Sequence, residues 1–427
     1  MRIRTILRTN AGVWLTLPLT LLAVAYIANF TRSADPYPVA VTAAGLAALG
    51  FVVPICAALG AWEGGRLRRG GTWDLPTVRS RYVIAGWALG PVVAAGCVSV
   101  VAAVLTSTLA SGVAVPDWRP VLVAFLVVLA HSAAGFALGI LVPTALAVSG
   151  SLLASFVWMV FLRGLDPMWL RYLNGGAIEL CCDISTDLAP SAVSGPLVVA
   201  IGLLAAAGLT LATTRAGLQR RALALAPLLV ALVIGSMLVS ELSAYPAVPR
   251  DERQLLCSDR DQIRVCVWPE HEPRLAEVAG LAAKAWAGWR AAGVSAPTHF
   301  TEGQDGVPPD VLRFSFAMRS SPSVIVSGFA YAMLPPWPAC ADFGPYLGFE
   351  AFEYVHAWYA AHGGLPEDDL RSMYQASSGP DRPPVIELVD QVLAQPLDVQ
   401  RRWLAANVAA LESCEMEPQL SLSAPNS

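Results

Sequence analysis

The sequence predicts an all-α polytopic membrane domain followed by a mainly helical α+β domain outside the cytoplasm. Composition is the first reason: of 427 residues, 55 % are hydrophobic and only 14 % are charged, whereas soluble domains carry about 25 % charged residues. The second reason is uneven charge. Residues 1–243 hold 15 Lys/Arg and 9 Asp/Glu, net +6, whereas residues 244–427 hold 13 and 23, net −10. The two halves are therefore expected to lie in different solvents.

Seven apolar stretches are long enough to cross a bilayer, which takes about 20 residues because lipid offers no partner for backbone polar groups. The fourth and fifth stretches are separated only by Pro143 and its neighbours, so one broken helix is an alternative there. The sequence therefore predicts three segments: a transmembrane domain over residues 1–243, an extracytoplasmic domain over 244–415 and a flexible tail over 416–427. The predicted spans are 11–30, 39–62, 82–112, 121–142, 144–162, 195–213 and 222–242.

Arginines are distributed unevenly between the short loops. If the N-terminus lies inside, the inner segments hold eleven arginines and the outer loops hold four. Because cytoplasmic loops carry the excess of basic residues, this bias predicts a cytoplasmic N-terminus in the plasma membrane and an extracellular region after Ser243. The inner set is Arg2, Arg4, Arg8, Arg66, Arg68, Arg69, Arg79, Arg81, Arg215, Arg220 and Arg221, and the outer set is Arg32, Arg119, Arg163 and Arg171.

The eight cysteines support the same orientation. Cys56 and Cys97 lie inside spans, where a thiol packs as a small apolar group. The other six fall on the predicted outer side, and six cysteines in an oxidising compartment predict a disulfide framework. We expect Cys257 to pair with Cys266 and Cys340 with Cys414, which leaves Cys181 and Cys182 to bond to each other or to the distal domain; free buried thiols are the alternative.

The C-terminal domain has enough apolar residues for its own core. Alternating Ile263, Val265 and Val267 predict a strand, and a stripe at steps of three and four residues predicts a helix over 273–292. A second strand is expected at 311–316. The stripe consists of Leu275, Val278, Ala282, Ala285 and Trp289, and further helices are expected at 322–334, 346–362, 384–395 and 397–414.

Histidines in this domain raise the possibility of a membrane-tethered zinc hydrolase. A zinc peptidase needs two histidines four residues apart with a glutamate between them. His356 and His362 are six residues apart and point in different directions on a helix, and Glu270–His271–Glu272 stands at a helix start, where acidic residues suit the dipole. The sequence has no G-x-S-x-G turn either. We therefore predict no catalytic residue, metal or cofactor.

The loop between the second and third spans combines charge with apolar residues. It is either a positive anchor without a partner or a docking element for a soluble cytoplasmic protein, since a short Trp/Leu face between charged flanks can enter a groove. The predicted docking residues are Glu63, Arg66, Arg68, Arg69, Trp73, Asp74, Leu75, Arg79 and Arg81.

The N-terminal region resembles an ABC-2-type transporter permease over residues 1 to about 213. The basic stretch 1–10 resembles the interfacial helix of that family, and 63–81 resembles its coupling helix. Segment 164–190 stands where the family has short extracellular helices. A seventh span and the appended domain depart from the family. The Trp268–His271 stretch and the proline-rich region near Cys340 resemble an uncharacterised extracellular extension of actinobacterial permease-like proteins.

The resemblance implies the membrane subunit of an ATP-driven exporter. ATP hydrolysis needs a G-x-x-x-x-G-K-[ST] loop, and the only lysine is Lys284, in Ala283-Lys284-Ala285. The chain is therefore not expected to be an enzyme. A separate ATPase subunit would bind the 63–81 loop, and two permease protomers, identical or paired, would line one pathway; no nucleic-acid partner is expected. The alternative function is a membrane-anchored extracellular binding or sensing protein that transports nothing.

His131 is the one ionisable residue deep in a predicted span. It is either a histidine hydrogen-bonded between helices or a group that contacts a proton or a substrate. Gly135-x-x-x-Gly139 follows it and would let another helix approach closely. Acidic residues are missing at mid-membrane, which argues against a proton-driven carrier and favours an apolar or amphipathic substrate.

Overall fold

The protein, described by a computed structural model, consists of two compact units, Met1–Arg250 and Asp251–Ser427. The division falls seven residues after the predicted 243/244 boundary, because residues 247–249 form a strand that belongs to the first unit. The structure describes residues 8–30, 35–73, 79–213, 222–303, 310–344, 346–375 and 383–421.

The described part of the N-terminal unit is almost entirely helical. A helical stretch over 38–69 contains two α-helices joined by a 3₁₀ turn at Leu46–Ala48. Three further 3₁₀ turns lie between α6 and α7, within residues 161–180. The elements are α1 (Ala11–Phe30), α2 (Pro38–Gly45), α3 (Leu49–Arg69), α4 (Arg81–Ser111), α5 (Trp118–Leu141), α6 (Thr144–Val160), β1 (Thr186–Leu188), α7 (Pro190–Ala212), α8 (Ala226–Val239) and β2 (Ala247–Pro249).

Six of the apolar helical stretches are long enough to cross a membrane, as the sequence predicts for its first six spans. The seventh is shorter: α8 has 14 residues, a length of about 21 Å at 1.5 Å per residue. The protein is therefore a multi-pass, membrane-associated type of chain with six full-length apolar helices and a shorter seventh within the described residues.

Successive helices run between two opposite ends of the unit. At one end, Asn10 before α1 donates from Nδ2 to the Ala88 carbonyl of α4 (2.9 Å), and Arg81 at the start of α4 reaches the Leu211 carbonyl at the end of α7 (3.3 Å). At the other end, β1 before α7 pairs antiparallel with β2 after α8. The first end is called the Glu63 end below and the second the Arg250 end.

The break at Pro143 separates two helices. His131 and Ser155 lie twelve residues before and after Pro143, and their side chains are within hydrogen-bond distance, 2.9 Å between Nδ1 and Oγ. That contact requires α5 and α6 to run antiparallel. The alternative of one broken helix is therefore excluded, and residue 250 lies at the end opposite the start of α1.

Glycines bring α3 and α5 into direct backbone contact. A Cβ atom on Gly135 would lie 2.0 Å from the Ala57 carbonyl oxygen, and one on Gly139 would lie 2.1 Å from that of Ala61. On the facing helix, a Cβ on Gly60 would lie 2.2 Å from the Ser132 carbonyl oxygen. The close approach that Gly135-x-x-x-Gly139 predicts is thus present, and α3 is the helix that makes it.

The C-terminal unit combines a four-stranded sheet with helices. The predicted strands and helices are present with shorter bounds, whereas β3, β5 and α12 were not predicted. The elements are β3 (Leu256–Arg260), β4 (Ile263–Val267), α9 (Leu275–Ala291), β5 (His299–Thr301), β6 (Val311–Arg313), α10 (Pro322–Ala332), α11 (Phe352–His362), α12 (Glu367–Tyr374), α13 (Val385–Leu393) and α14 (Leu397–Leu411).

The sheet has the order β3-β4-β5-β6. β3 and β4 form an antiparallel hairpin whose turn residues, Asp261 and Gln262, both have positive φ angles (49° and 71°), as two-residue hairpins of type I′ require. β4, β5 and β6 are parallel, so α9 is the crossover between β4 and β5. The buried face of α9 includes Val278 and Trp289, as the stripe predicts.

The end of the unit differs from the predicted loose tail at its described residues, 416–421. Asn407, which is fully buried, donates from Nδ2 to the Gln419 carbonyl (3.1 Å) and accepts from the Gln419 amide (2.9 Å). Trp403 Nε1 also donates to the Gln419 carbonyl (2.9 Å). The segment up to Leu420 is therefore part of the folded unit.

Candidate functional site

Glu63 is a buried carboxylate at the Glu63 end. It has no exposed surface, accepts from the Ala11 amide (3.2 Å) and accepts from Arg66 Nε (2.8 Å). A carboxylate away from water is stable only with such donors. Glu63 thereby joins the first turn of α1 to the last turns of α3, directly before the predicted docking loop.

The arginines of the predicted docking loop are accessible. Arg69 and Arg79 are exposed, and Arg66, Arg68 and Arg81 are partly exposed. Arg69 donates to the Thr144 hydroxyl at the start of α6, and its guanidinium lies 5.5 Å from the Trp62 ring centroid. The structure thus places several basic side chains of the loop at one surface.

Trp73 is buried, whereas a residue that docks a partner is expected at the surface. Its indole is only 9 % exposed and packs edge-on against Phe136 of α5, 6.4 Å between ring centroids. Any effect of Trp73 on a partner would therefore be indirect. Asp74 and Leu75, which are also among the predicted docking residues, lie outside the described residues.

His131 lines a cavity of about 530 Å³ within the helices. The cavity is bounded by α5, α6, α7 and α8, and its walls are apolar apart from His131, Ser151, Ser155 and Asn174. Asn174 is already engaged, because it donates to the Trp158 carbonyl (2.7 Å) and accepts from the Gly176 amide (2.8 Å). The interhelical hydrogen bond expected for His131 is present with Ser155, and the ring also borders the open space.

Charged groups meet at the Arg250 end. Arg119 binds both Asp117 (2.7 Å) and Asp187 (2.8 Å), which ties the start of α5 to β1. Arg250 donates from its amide to the Ser185 carbonyl (3.0 Å) and stacks over Tyr37, 4.6 Å from the ring centroid. This end is therefore closed by ion pairs and a strand pair, in contrast to the exposed arginines of the Glu63 end.

The six cysteines expected on the outer side are paired. Cys257 and Cys266 face each other across β3 and β4 with their sulfurs 2.05 Å apart. Cys340 and Cys414 are also bonded, with an S–S distance of 2.01 Å. Cys181 is bonded to its neighbour Cys182. Of the alternatives left open, the structure therefore has Cys181 bonded to Cys182 and not to the distal domain.

An aromatic groove lies on the C-terminal unit, defined by Tyr331, Trp337, Tyr346, Phe349 and Phe352. The Trp337 ring stacks on Phe349 (5.6 Å) and on Phe352 (5.3 Å). Trp337 and Tyr346 line both of two adjacent cavities, of about 500 and 400 Å³. The larger cavity is also lined by the exposed Arg313, and the smaller by the exposed Asp342.

A disulfide and a hydrogen bond fix the groove, although the rings of Tyr331, Trp337 and Phe349 are exposed. The Cys340–Cys414 disulfide joins the segment after Trp337 to the end of α14, and Tyr346 Oη donates to the Leu411 carbonyl (3.0 Å). Trp337 is nevertheless 46 % exposed. Exposed apolar groups on a fixed frame are typical of an interaction site.

His271 and Glu302 form a buried pair that the sequence analysis did not predict. Both are at most 3 % exposed, and His271 Nδ1 lies 2.8 Å from Glu302 Oε1. The Trp268 amide donates to Glu302 Oε2 (2.9 Å). The interpretation of His271 as a simple helix-start residue is therefore incomplete: the Trp268–His271 stretch closes over a carboxylate 31 residues away. No periodic pattern in the sequence links the Trp268–His271 stretch to Glu302.

His356 and His362 have separate neighbours, as their spacing predicts. His356 Nε2 lies 2.9 Å from the Ser327 carbonyl oxygen and Nδ1 contacts the Tyr374 hydroxyl, whereas His362 lies 2.9 Å from Gln400 Oε1. Burial lowers the pKa of both histidines. Burial, with a smaller effect of Glu412, raises the pKa of Tyr359 to about 12. Within the described residues, no three His, Cys, Asp or Glu side chains are placed to hold a metal.

Comparison with known proteins identifies a similarity over part of the C-terminal unit. Residues 265–414 match a family described as a domain of unknown function, DUF7224. Neither the curated proteins nor the solved structures contain a match to the chain. The segment from β4 to the Cys414 disulfide is thus similar to that domain family.

Proposed function

We propose that the protein is the membrane subunit of an ATP-driven exporter, coupled to a separate ATPase through residues 63–81. The observation that carries the proposal is the buried Glu63, which joins α1 and α3 beside exposed arginines. A coupling element needs an accessible surface for its partner and a stiff connection to the membrane helices. The Glu63 end combines both features.

In this proposal the Glu63 end faces the cytoplasm. Arg8, Arg66, Arg68, Arg69, Arg79 and Arg81 lie at or beside this end, whereas the loops of the Arg250 end include Arg119, Arg163 and Arg171. The excess of basic residues supports a cytoplasmic Glu63 end. The C-terminal unit then follows the Arg250 end to the outside of the cell, where its disulfides would persist.

Orientation is tested with a tag at Ser427 in intact cells. A protease that cannot cross the membrane is expected to remove the tag without lysis. Protection in intact cells, followed by cleavage after lysis, would place the C-terminal unit inside and overturn the orientation.

The coupling role is tested by cross-linking in native membranes, followed by mass spectrometry of what co-purifies. We expect an ATPase with a phosphate-binding loop. Charge reversal in the double variant Arg69→Glu/Arg79→Glu is expected to lower its recovery at least about tenfold, because like charges across an interface are strongly unfavourable. Arg253→Glu is the matched control, since Arg253 is 92 % exposed and belongs to the C-terminal unit. Equal recovery with all variants would contradict the docking role.

A second candidate function is a membrane-anchored binding protein, and the aromatic groove specifically favours it. A flat apolar ligand with one negative charge would stack on Trp337 and pair with the exposed Arg313. The probe is 2-naphthoate, followed by saturation-transfer NMR on the full chain in nanodiscs. Binding should be lost in Trp337→Ala and Arg313→Gln but kept in Arg264→Gln, an exposed arginine on β4. Unchanged signals in the first two variants would exclude this groove as the site.

A further inference from the structure

The cavity beside His131 has the size of a small-molecule site. Its volume of about 530 Å³ falls within the range of about 300–1,000 Å³ that ligand pockets occupy. It exists because α6 and α7 both pack against α5 but make little contact with each other. The lining extends from Leu138 toward the Glu63 end to Asn174 toward the Arg250 end, so the cavity is elongated along the helices.

A polar group stands unsatisfied in this apolar space. Ser151 is only 6 % exposed, lines the cavity, and its hydroxyl has no hydrogen-bond partner among the described residues. Ser155 lies one turn further along the same face of α6 and is close to His131. A buried hydroxyl without a partner costs about 1–3 kcal/mol, and within lipid no water compensates. A ligand that supplies a hydrogen-bonding group would therefore be favoured at this site.

The depth of these residues restricts what can supply that group. His131 is 13 residues from the first residue of α5 and 10 from the last, which corresponds to about 20 and 15 Å along the helix. The headgroup of an ordinary phospholipid stays at the interface and does not reach this depth. A molecule with a small polar group on an otherwise apolar chain can enter.

We propose that this cavity binds a slender amphiphile, a single alkyl or isoprenoid chain that bears one hydroxyl group, with that hydroxyl beside Ser151 and His131. The hydroxyl oxygen would accept from Ser151 Oγ, and its hydrogen would be directed toward the polar pair formed by His131 and Ser155. That such a molecule is the exported substrate rests on the proposed transport function, whereas its binding does not.

Binding is tested on the full chain purified alone, without an ATPase, with a long-chain fatty alcohol that carries a photoreactive diazirine. Labelled peptides are expected from α6 and α7. Gly150 lines the cavity and a Cβ there would meet open space, so Gly150→Phe should fill the cavity and lower labelling at least about tenfold. Gly90→Phe is the matched control, because Gly90 also faces open space but lies on α4 outside the cavity.

The hydroxyl requirement is tested with the corresponding alkyl diazirine that has no alcohol. Ser151→Ala is expected to lower labelling by the alcohol about threefold to tenfold, the effect of one hydrogen bond, and to leave labelling by the alkane unchanged. Equal labelling by both probes in the natural chain, or displacement of the alcohol by excess phosphatidylcholine, would show ordinary lipid contact and overturn the proposal. Because no ATPase is present, this failure would leave the coupling proposal unaffected.

Discussion

The two units achieve close packing in opposite ways. In the N-terminal unit, α3 and α5 meet at glycines whose Cβ positions would lie within about 2 Å of the facing carbonyl oxygens. In the C-terminal unit, the largest fully buried side chains include Trp268, Trp289 and Trp358. In the first unit, glycines at the contact allow two backbones to approach closely. In the second unit, large aromatic side chains fill the interior.

The proposed lipid surroundings of the N-terminal helices would account for this difference. In lipid, an apolar side chain gains little by leaving the surroundings for the protein interior, so helices associate through close van der Waals contact and small residues favour it. In water, each buried tryptophan removes a large apolar area from solvent. The C-terminal unit also has two disulfides that join separate segments, whereas the two cysteines inside the N-terminal helices, Cys56 and Cys97, are free. The following predictions test this contrast, beginning with the largest expected effect.

The glycine contact should be the most sensitive point in the N-terminal unit. Gly135→Leu would force the side chain into the Ala57 carbonyl, 2.0 Å from the new Cβ, and is expected to cost at least about 3 kcal/mol. The measurement is the yield of a monodisperse peak in detergent size-exclusion chromatography. Gly86→Leu, where a Cβ meets open space, should behave like the natural chain. A normal peak for Gly135→Leu would show that α3 and α5 do not need this contact.

In the C-terminal unit, the equivalent weak point is a buried polar group. Glu302→Ala removes the acceptor that the Trp268 amide and His271 share, and breaking such a buried pair costs about 3–5 kcal/mol. Pulse proteolysis in urea measures the loss. Glu272→Ala changes an exposed residue next to His271 and should alter stability by less than about 0.5 kcal/mol. Equal midpoints for both variants would contradict the structural role of the pair.

The two disulfides of the C-terminal unit should contribute unequally to its stability. Cys340 and Cys414 are separated by 74 positions, and Cys257 and Cys266 by 9. In the chain-entropy description, the longer loop stabilises more, by about 2 kcal/mol. The double variant Cys340→Ser/Cys414→Ser should therefore unfold at lower urea than Cys257→Ser/Cys266→Ser. The reverse order would mean that the hairpin depends on its disulfide more than loop length predicts.

The smallest expected effect is a pH dependence confined to the C-terminal unit. Burial lowers the folded-state pKa of His356, so below about pH 6.5 the unfolded chain binds a proton that the folded chain does not. Stability should fall as pH falls through 6.5, with a slope of at most about 1.4 kcal/mol per pH unit for this histidine. His356→Gln should reduce the slope. An unchanged slope in His356→Gln would assign the dependence to other groups.

Sequence reasoning works where one local signal is enough. Length and hydropathy predict the first six spans, and the spacing of Gly135 and Gly139 predicts a close helix contact. The Cys257–Cys266 pair follows from a short hairpin. These features depend on residues near one another in the chain, so periodicity and turn length contain the necessary information.

The features that were missed depend on distant residues. β5 has three residues and is a strand only because β4 and β6 flank it. Glu302 is linked to His271 by the sheet and not by spacing. The sequence around Trp73 predicts a surface residue, but in the structure Phe136 of another helix covers its ring. Ser151 could have been identified as a candidate site residue, because Ser151 and Ser155 are one helical turn apart on a span that faces His131. The gap between α6 and α7, however, has no sequence signature.

The hydrogen bonds between Asn407 and Gln419 determine where a fragment that contains the C-terminal unit has to end. The stretch that matches the known domain family begins within β4 and ends at residue 414, so it omits β3 and the Gln419 backbone. A fragment with those limits would lose the partner strand of β4 and the carbonyl that receives Trp403 Nε1. A free-standing version for crystallography therefore has to include β3, which begins at Leu256, and to continue to Leu420 or beyond.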